Sequence, residues 1–198
     1  MQIKRGRRRD DSVRLSILKA MLGLVEEGNS FARISIEQLA RQASVSKTTI
    51  YKWWPGKEEI FCEAFLLHAC EALPILEYHA NDQHDFYAQF MIRTMEMRAF
   101  HRTPIARVMI GLALEHPEIA QQLYQKHQQP RFQTMQEIFT RWLTDHTTQE
   151  DITFFLKMSF SLIYNSSAAN SDEEVVTLIR RLFRTVFPYY AELDLNHP

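Results

Sequence analysis

Glycine, proline and cysteine are all scarce in this chain. Its 198 residues hold 5 Gly, 7 Pro and 2 Cys. Few breakers, and no alternating Val/Ile/Thr runs closed by hairpin turns, point away from sheets and toward an all-α protein. Cys62 and Cys70 fall on one expected helix, about 12 Å apart along its axis at ~1.5 Å rise per residue. That is too far for an intrachain disulfide. Both are expected to be buried, reduced thiols of a cytoplasmic protein. No run of about 18 apolar residues exists, so no membrane span is expected. The apolar stretch after the charged start is broken by Arg14, Lys19, Glu26 and Glu27, which argues against a secretory signal. The chain also lacks a glycine-rich phosphate loop, an HExxH pair, a Cys/His cluster and a nucleophile elbow. Its eight histidines are scattered from His68 to His197. Neither an enzyme, nor a metal site, nor a cofactor is expected.

The net charge of -1 hides a sharp asymmetry. Residues 1–60 hold 12 Lys and Arg against 7 Asp and Glu, whereas residues 61–198 hold 11 against 17. A basic front and an acidic back fit a protein whose front alone meets phosphate. The first nine residues, MQIKRGRRR, read as a disordered basic arm. Such an arm can track a DNA backbone or enter a minor groove, and a plain solvated tail would look the same.

The most structured signal is Ser35–Lys57, SIEQLARQASVSKTTIYKWWPGK. Ser35 stands as N-cap with Gln38 three residues on, the capping-box spacing. Ile36, Leu39, Ala40 and Ala43 give that helix one apolar face. Ser44 and Val45 form a turn. Ser46 caps a second helix, Lys47 to about Trp54, in which Ile50 and Trp54 point inward with Val45. Lys47, Thr48, Tyr51 and Lys52 share the outer face: donors, two cations, one phenol and no acid. A short helix showing such a face after a helix and a tight turn suits a DNA major groove. Ahead of it, Asp10, Asp11 and Ser12 are expected to cap a helix ending at Gly28. Its face of Val13, Ile17, Leu18, Met21, Leu24 and Val25 closes a three-helix core with Phe31 and Ile34.

The segment from Ile17 to Phe65 resembles the DNA-binding half of TetR/AcrR-type transcriptional regulators. The likeness is carried by SIEQLARQASVSKTTIYKWWPGKEEIF, above all Thr49-Ile50-Tyr51 and Trp54-Pro55-Gly56-Lys57-Glu58-Glu59-Ile60. Ser44 stands where that family's turn usually carries glycine. The resemblance implies that the helix opened by Lys57 is the lever between a ligand and DNA. That helix is expected to run toward His79, with Ile60, Phe61, Ala64, Phe65 and Leu67 inward and a kink or end near Leu73 imposed by Pro74.

Further helices are expected from Asp85 to His101, from the Thr103-Pro104 cap to His116, and from Pro117. Another ends near Leu143 beyond Pro130. Thr147 with Glu150, and Ser171 with Glu174, read as capping boxes opening the last two. These two are apolar over more than one face, through Ile152, Phe154, Phe155, Leu156, Met158, Ile163, Val175, Leu178, Ile179, Leu182 and Phe183. A helix apolar on two sides needs two partners, and the second could be another subunit in a four-helix bundle. The resemblance implies the same interface. Burial wholly within one subunit would leave the same pattern. The resemblance also turns the Phe- and Met-rich middle into an effector pocket, with Phe90, His101, Arg107, Trp142, Tyr164 and Asn165 as candidate lining, though such residues are commonly plain core.

These features predict an all-α protein with a helix-turn-helix head over residues 1–56 and a helical effector-binding and dimerisation domain over 57–198. The expected role is a ligand-responsive repressor acting as a cytoplasmic homodimer on a pseudo-palindromic double-stranded DNA operator. Lys47, Thr48, Thr49, Tyr51 and Lys52 would contact the groove and its walls. Ser35 and Lys57 would hold phosphates at helix starts, and Ser46, the cap of the second helix, is expected at the DNA as well. The alternative is a helical ligand-binding module that no longer binds DNA specifically.

Overall fold

The computed structural model describes residues 5–75, 79–165 and 171–194, and side chains within them except those of residues 5–9, 165 and 194. The described chain is all-α. Ten α-helices follow one another: α1 Arg5–Glu26, α2 Ile36–Gln42, α3 Lys47–Tyr51, α4 Lys57–Ala72, α5 Gln83–His101, α6 Pro104–Glu115, α7 Pro117–Leu123, α8 Gln129–Trp142, α9 Gln149–Asn165 and α10 Asp172–Val186. A π-turn at Tyr124–Gln128 leads into α8, whose first turn takes Pro130. Expected ends shift where local bonding decides. The first helix starts at Arg5, ahead of the Asp10–Ser12 cap, so residues 5–9 are helical rather than a disordered arm. The fourth ends at Ala72, two residues before Pro74. The cap of α9 is Thr148, not Thr147: Thr148 Oγ1 accepts from the Asp151 N–H at 3.1 Å, and Asp151 Oδ2 accepts from the Thr148 N–H at 3.0 Å. Thr147 instead donates to the Asp145 carbonyl.

Packing gathers the chain into two compact units. The first runs through Ala72 and takes in Thr103–His127; the second comprises Leu73–Arg102 and the chain from Gln128 onward. The boundary expected after Gly56 divides the chain by role, whereas these units divide it by packing, because α6 lies on α1 and α4. In the first unit Ile17, Met21, Ile34, Leu39, Ile50, Ile60 and Phe61 are buried to 2 % exposure or less. Cys62 is buried, but Cys70 and Leu67 are exposed, since the outer face of α4 turns away from that core.

The second unit is built on aromatic rings. Phe86, Phe90, Phe139, Phe155, Phe183 and Phe187 form a chain of ring contacts with centroids 5.1–5.6 Å apart. Pairs at that spacing add about 0.5–1.5 kcal/mol each beyond the area they bury. Arg98 is an unexpected guest on α5, 1 % exposed, with its Nε donating to Asp172 Oδ1 at 2.6 Å. Asp172 opens α10 under the capping box of Ser171 and Glu174, and also receives Arg102 at 2.7 Å.

Candidate nucleic-acid interface

The face of α3 is set up by two caps and a turn. Ser35 Oγ accepts from the Gln38 N–H at 3.1 Å, and Ser46 Oγ accepts from the Thr49 N–H at 3.0 Å. Between them, the Val45 N–H reaches the Ala40 carbonyl and the Ser44 N–H the Arg41 carbonyl, closing α2 in a Schellman turn. The left-handed position of that turn falls on Ser44, at φ 55°. The turn swings α3 so that Ile50 is fully buried and Trp54 is 4 % exposed. The opposite side is open: Lys47, Thr48 and Lys52 are exposed, and Tyr51 is 56 % exposed. Thr49 is half-buried and shares a 2.8 Å hydrogen bond with Ser46 Oγ. Of the eight residues expected at DNA, Ser35, Ser46, Lys47, Thr48, Tyr51 and Lys52 are exposed on α2, α3 and their caps.

Behind this face a polar network fixes the helix. Trp54 Nε1 donates to Glu63 Oε2 at 2.9 Å, Arg14 bonds the same oxygen at 2.7 Å, and the Arg14 guanidinium lies 5.6 Å from the Trp54 ring centroid. One carboxylate on α4 thus ties α1 to the end of α3. Trp53 is half-buried, edge-on to Trp54 and beneath Lys52.

The lysines differ in what they hold. Lys57 donates to the carbonyls of Phe31, Ala32 and Ile34 at 3.0, 3.0 and 3.2 Å, and its Nζ sits 4.9 Å from the Phe31 ring centroid. An ammonium has three N–H donors, so this geometry spends all three on the turn Phe31–Arg33 and its exit. The structure gives Lys57 a different job from the phosphate contact expected of it. Lys47 Nζ lies 2.6 Å from Glu37 Oε1, and Lys52 Nζ 3.6 Å from Asp10 Oδ2. Hydrogen bonding and charge within the first pair hold the Glu37 carboxyl below its ordinary range and the Lys47 ammonium above. These acids come from α2 and α1, so the helix face itself bears none, as its sequence reads.

The candidate effector residues separate. His101 and Tyr164 meet edge to face at 4.2 Å within the second unit. His101 Nδ1 is 2.7 Å from the Met97 carbonyl. A carbonyl only accepts, so Nδ1 carries the proton. Burial depresses the His101 pKa, with the Arg131 guanidinium pushing the same way, so the ring is neutral with Nε2 as an acceptor. Burial raises the Tyr164 phenol to about 12. Phe90 stands in the ring core, and Trp142 stacks on Phe86 at 5.8 Å. Arg107 is exposed on α6 in the first unit. The Asn165 side chain lies outside the described residues. Two shallow depressions, about 330 Å³ beside Phe154 and Lys157 and about 410 Å³ beside Glu174 and Leu178, share none of these residues. Among the described residues no three His, Cys, Asp or Glu side chains gather, and no helix is long and apolar enough to cross a membrane.

Residues 24–64 match the family model described as bacterial regulatory proteins, tetR family. A curated Bacillus subtilis (strain 168) protein, described as the uncharacterized HTH-type transcriptional regulator YdeS, is 28 % identical over 165 residues, 83 % of this chain and 80 % of that one. Among solved structures, a TetR transcriptional regulator from Rhodococcus sp. RHA1 superposes with a TM-score of 0.61 at 16 % identity, over 91 % of this chain and 97 % of that one. The Flavonoid-responsive Regulator FrrA gives 0.61 at 18 % identity, over 90 % and 97 %. These distant structural likenesses carry the fold.

Proposed function

We propose that this chain, whose residues 24–64 match the tetR family model, is a DNA-binding regulator of that family: a ligand-responsive repressor working as a cytoplasmic homodimer on a pseudo-palindromic operator. Tyr51, Thr48 and Lys47 reach base edges from α3. Ser46, Thr49 and Lys52 line the groove walls, and Ser35 sets the start of α2 against a phosphate. The observation that carries this assignment is the two-sidedness of α3: Ile50 has no exposure while Tyr51, one residue on, has 56 %. A large aromatic alcohol is left in water only at a cost in apolar area, and it suits a surface that is dry when the partner is bound.

Regulators of this family bind DNA and act as dimers. Here the proposed interface is the outer side of α9 and α10, where Phe154, Met158 and Leu178 are 52 %, 42 % and 43 % exposed although each helix already buries its other side. Pairing serves the DNA step, since one five-residue helix reads few base pairs while two heads a helical turn apart read a palindrome. An effector held in the back half, residues 57–198, would act by differential affinity for two spacings of the heads. His101 Nε2 and the Tyr164 hydroxyl, an acceptor and a donor in a buried setting near the Arg131 guanidinium, are the groups proposed to orient it.

The test is a Tyr51→Ala variant of the full chain titrated with a duplex selected for wild-type binding. Loss of one base contact is expected to cost about 1–3 kcal/mol with the unfolding midpoint unchanged. Undiminished affinity for that duplex would reject the assignment of α3 as the reading element.

A further inference from the structure

The DNA-facing side of the head is less cationic than its composition. Lys57 is spent on carbonyls, Lys47 is held by Glu37 and Lys52 by Asp10. Two separate elements, α2 and α1, each deliver one carboxylate to a lysine of α3 or its end. Lys52 is steadied further by Trp53, 5.4 Å from its Nζ to the ring centroid.

A carboxylate oxygen on an ammonium has the charge of a phosphate oxygen in the same place, and in the Lys47 pair, at 2.6 Å, it has the bond length too. Moving the lysine from one to the other gains little, and it strands an acid beside the duplex. Exposed pairs like these are weak, so they bias the choice and do not lock it. The bias acts against phosphate alone. Lys47 gives one of its three donors to Glu37, and the other two remain able to reach neutral acceptors such as guanine O6 and N7 with the pair intact. Duplex of arbitrary sequence offers phosphate everywhere and matching base edges nowhere.

We infer that Glu37 is a specificity-setting residue, whose carboxylate holds Lys47 in place of a phosphate oxygen and so suppresses binding to duplex of unmatched sequence, whereas Asp10 beside Lys52 lowers binding to any duplex alike. Glu37 also lies in the first turn of α2, where an acid favours the helix dipole whatever its neighbours. That plainer role predicts a stability change without a change in salt dependence. The inference rests on the DNA-reading assignment above.

The experiment measures full-length wild type, Glu37→Gln and Asp10→Asn on a selected duplex and on a scrambled duplex of equal length, between 50 and 200 mM salt. Each freed lysine is expected to steepen the scrambled-duplex salt slope by about 0.9, an extra affinity loss of about 3–4-fold across that range. Scrambled-duplex affinity at 50 mM is expected to rise in both variants, narrowing the specific ratio for Glu37→Gln and leaving it unchanged for Asp10→Asn. In a Lys47→Ala background, Glu37→Gln is expected to lose this effect. An unchanged slope, or one that steepens as much without Lys47 as with it, overturns the inference. Wild type binding neither duplex would instead refute the DNA-reading assignment beneath it.

Discussion

Ser44 shows what a single backbone angle can cost. It occupies the left-handed position of the α2–α3 turn at φ 55°, and Gly28 occupies the matching position after α1 at φ 85°. At both, two backbone bonds close the same Schellman pattern. Glycine takes that angle without a Cβ penalty, whereas an L residue does not. Ser44→Gly is expected to stabilise the protein by about 0.5–1 kcal/mol after the added unfolded-state entropy, read from the denaturant midpoint. An unshifted or lowered midpoint would contradict this. Lys57 is a second case. Its ammonium serves three carbonyls of the Phe31 turn, and hydrogen bonds to a charged group are each worth about 1.5–3 kcal/mol when buried. Since the site is half-open, Lys57→Met is expected to cost roughly 1–2 kcal/mol of stability while leaving the salt slope of DNA binding unchanged. A flattened slope with full stability would restore the phosphate role.

His101 yields a pH prediction. Its folded pKa lies below the ordinary 6.5 because burial disfavours the charged ring. The unfolded chain therefore takes up the proton first as pH falls. The stability tied to the neutral ring is fully present above pH 6.5 and is lost as pH drops from there toward the depressed folded value. Denaturant midpoints taken from pH 7.5 to 5 should fall for wild type and fall less for His101→Gln. Parallel curves would mean that His101 does not carry the dependence.

At the scale of elements, caps were the most legible features because they are local. Ser35, Ser46, Thr103 and Ser171 each cap the helix that their spacing indicates. The α9 cap shows the limit: Thr147 with Glu150 and Thr148 with Asp151 are equally good boxes on paper, and the path of the preceding loop chooses the second. Partners set by tertiary geometry left no local trace. Nothing in the spacing of Glu37 and Lys47 announces a contact made across the α2–α3 turn, and nothing around Arg98 announces its burial against Asp172. The two-sided character of α9 and α10 was legible, and it leaves Phe154 and Leu178 exposed on the outer side. Glutamate at both positions is expected to convert a dimer to monomer in sedimentation equilibrium. Each exposed substitution should cost no more than about 0.5 kcal/mol of subunit stability. A variant that stays dimeric places the interface elsewhere.

For the whole molecule, charge and packing divide the chain at different points. The positive surplus ends near residue 60, but the first packed unit continues through α4 and takes in α6 and α7. The composition shift marks the surface proposed to meet phosphate, while burial records which helices share a core, and a sequence displays the first more openly than the second. A lever helix therefore belongs by packing to the head that it is proposed to move. The candidate effector residues were the least legible for the same reason: Phe90 and His101 both lie in a Phe- and Met-rich middle where plain core would look the same, and only the structure separates a ring inside a ring cluster from an imidazole facing a phenol. The central claim is that two copies of α3 read two half-sites at a fixed spacing. The most direct test is selection of bound sequences from a random duplex pool by the full-length protein. A pseudo-palindrome with half-site centres about 10 base pairs apart, or a multiple of that, is the expected result; a single unpaired half-site, or no enrichment at all, would contradict it.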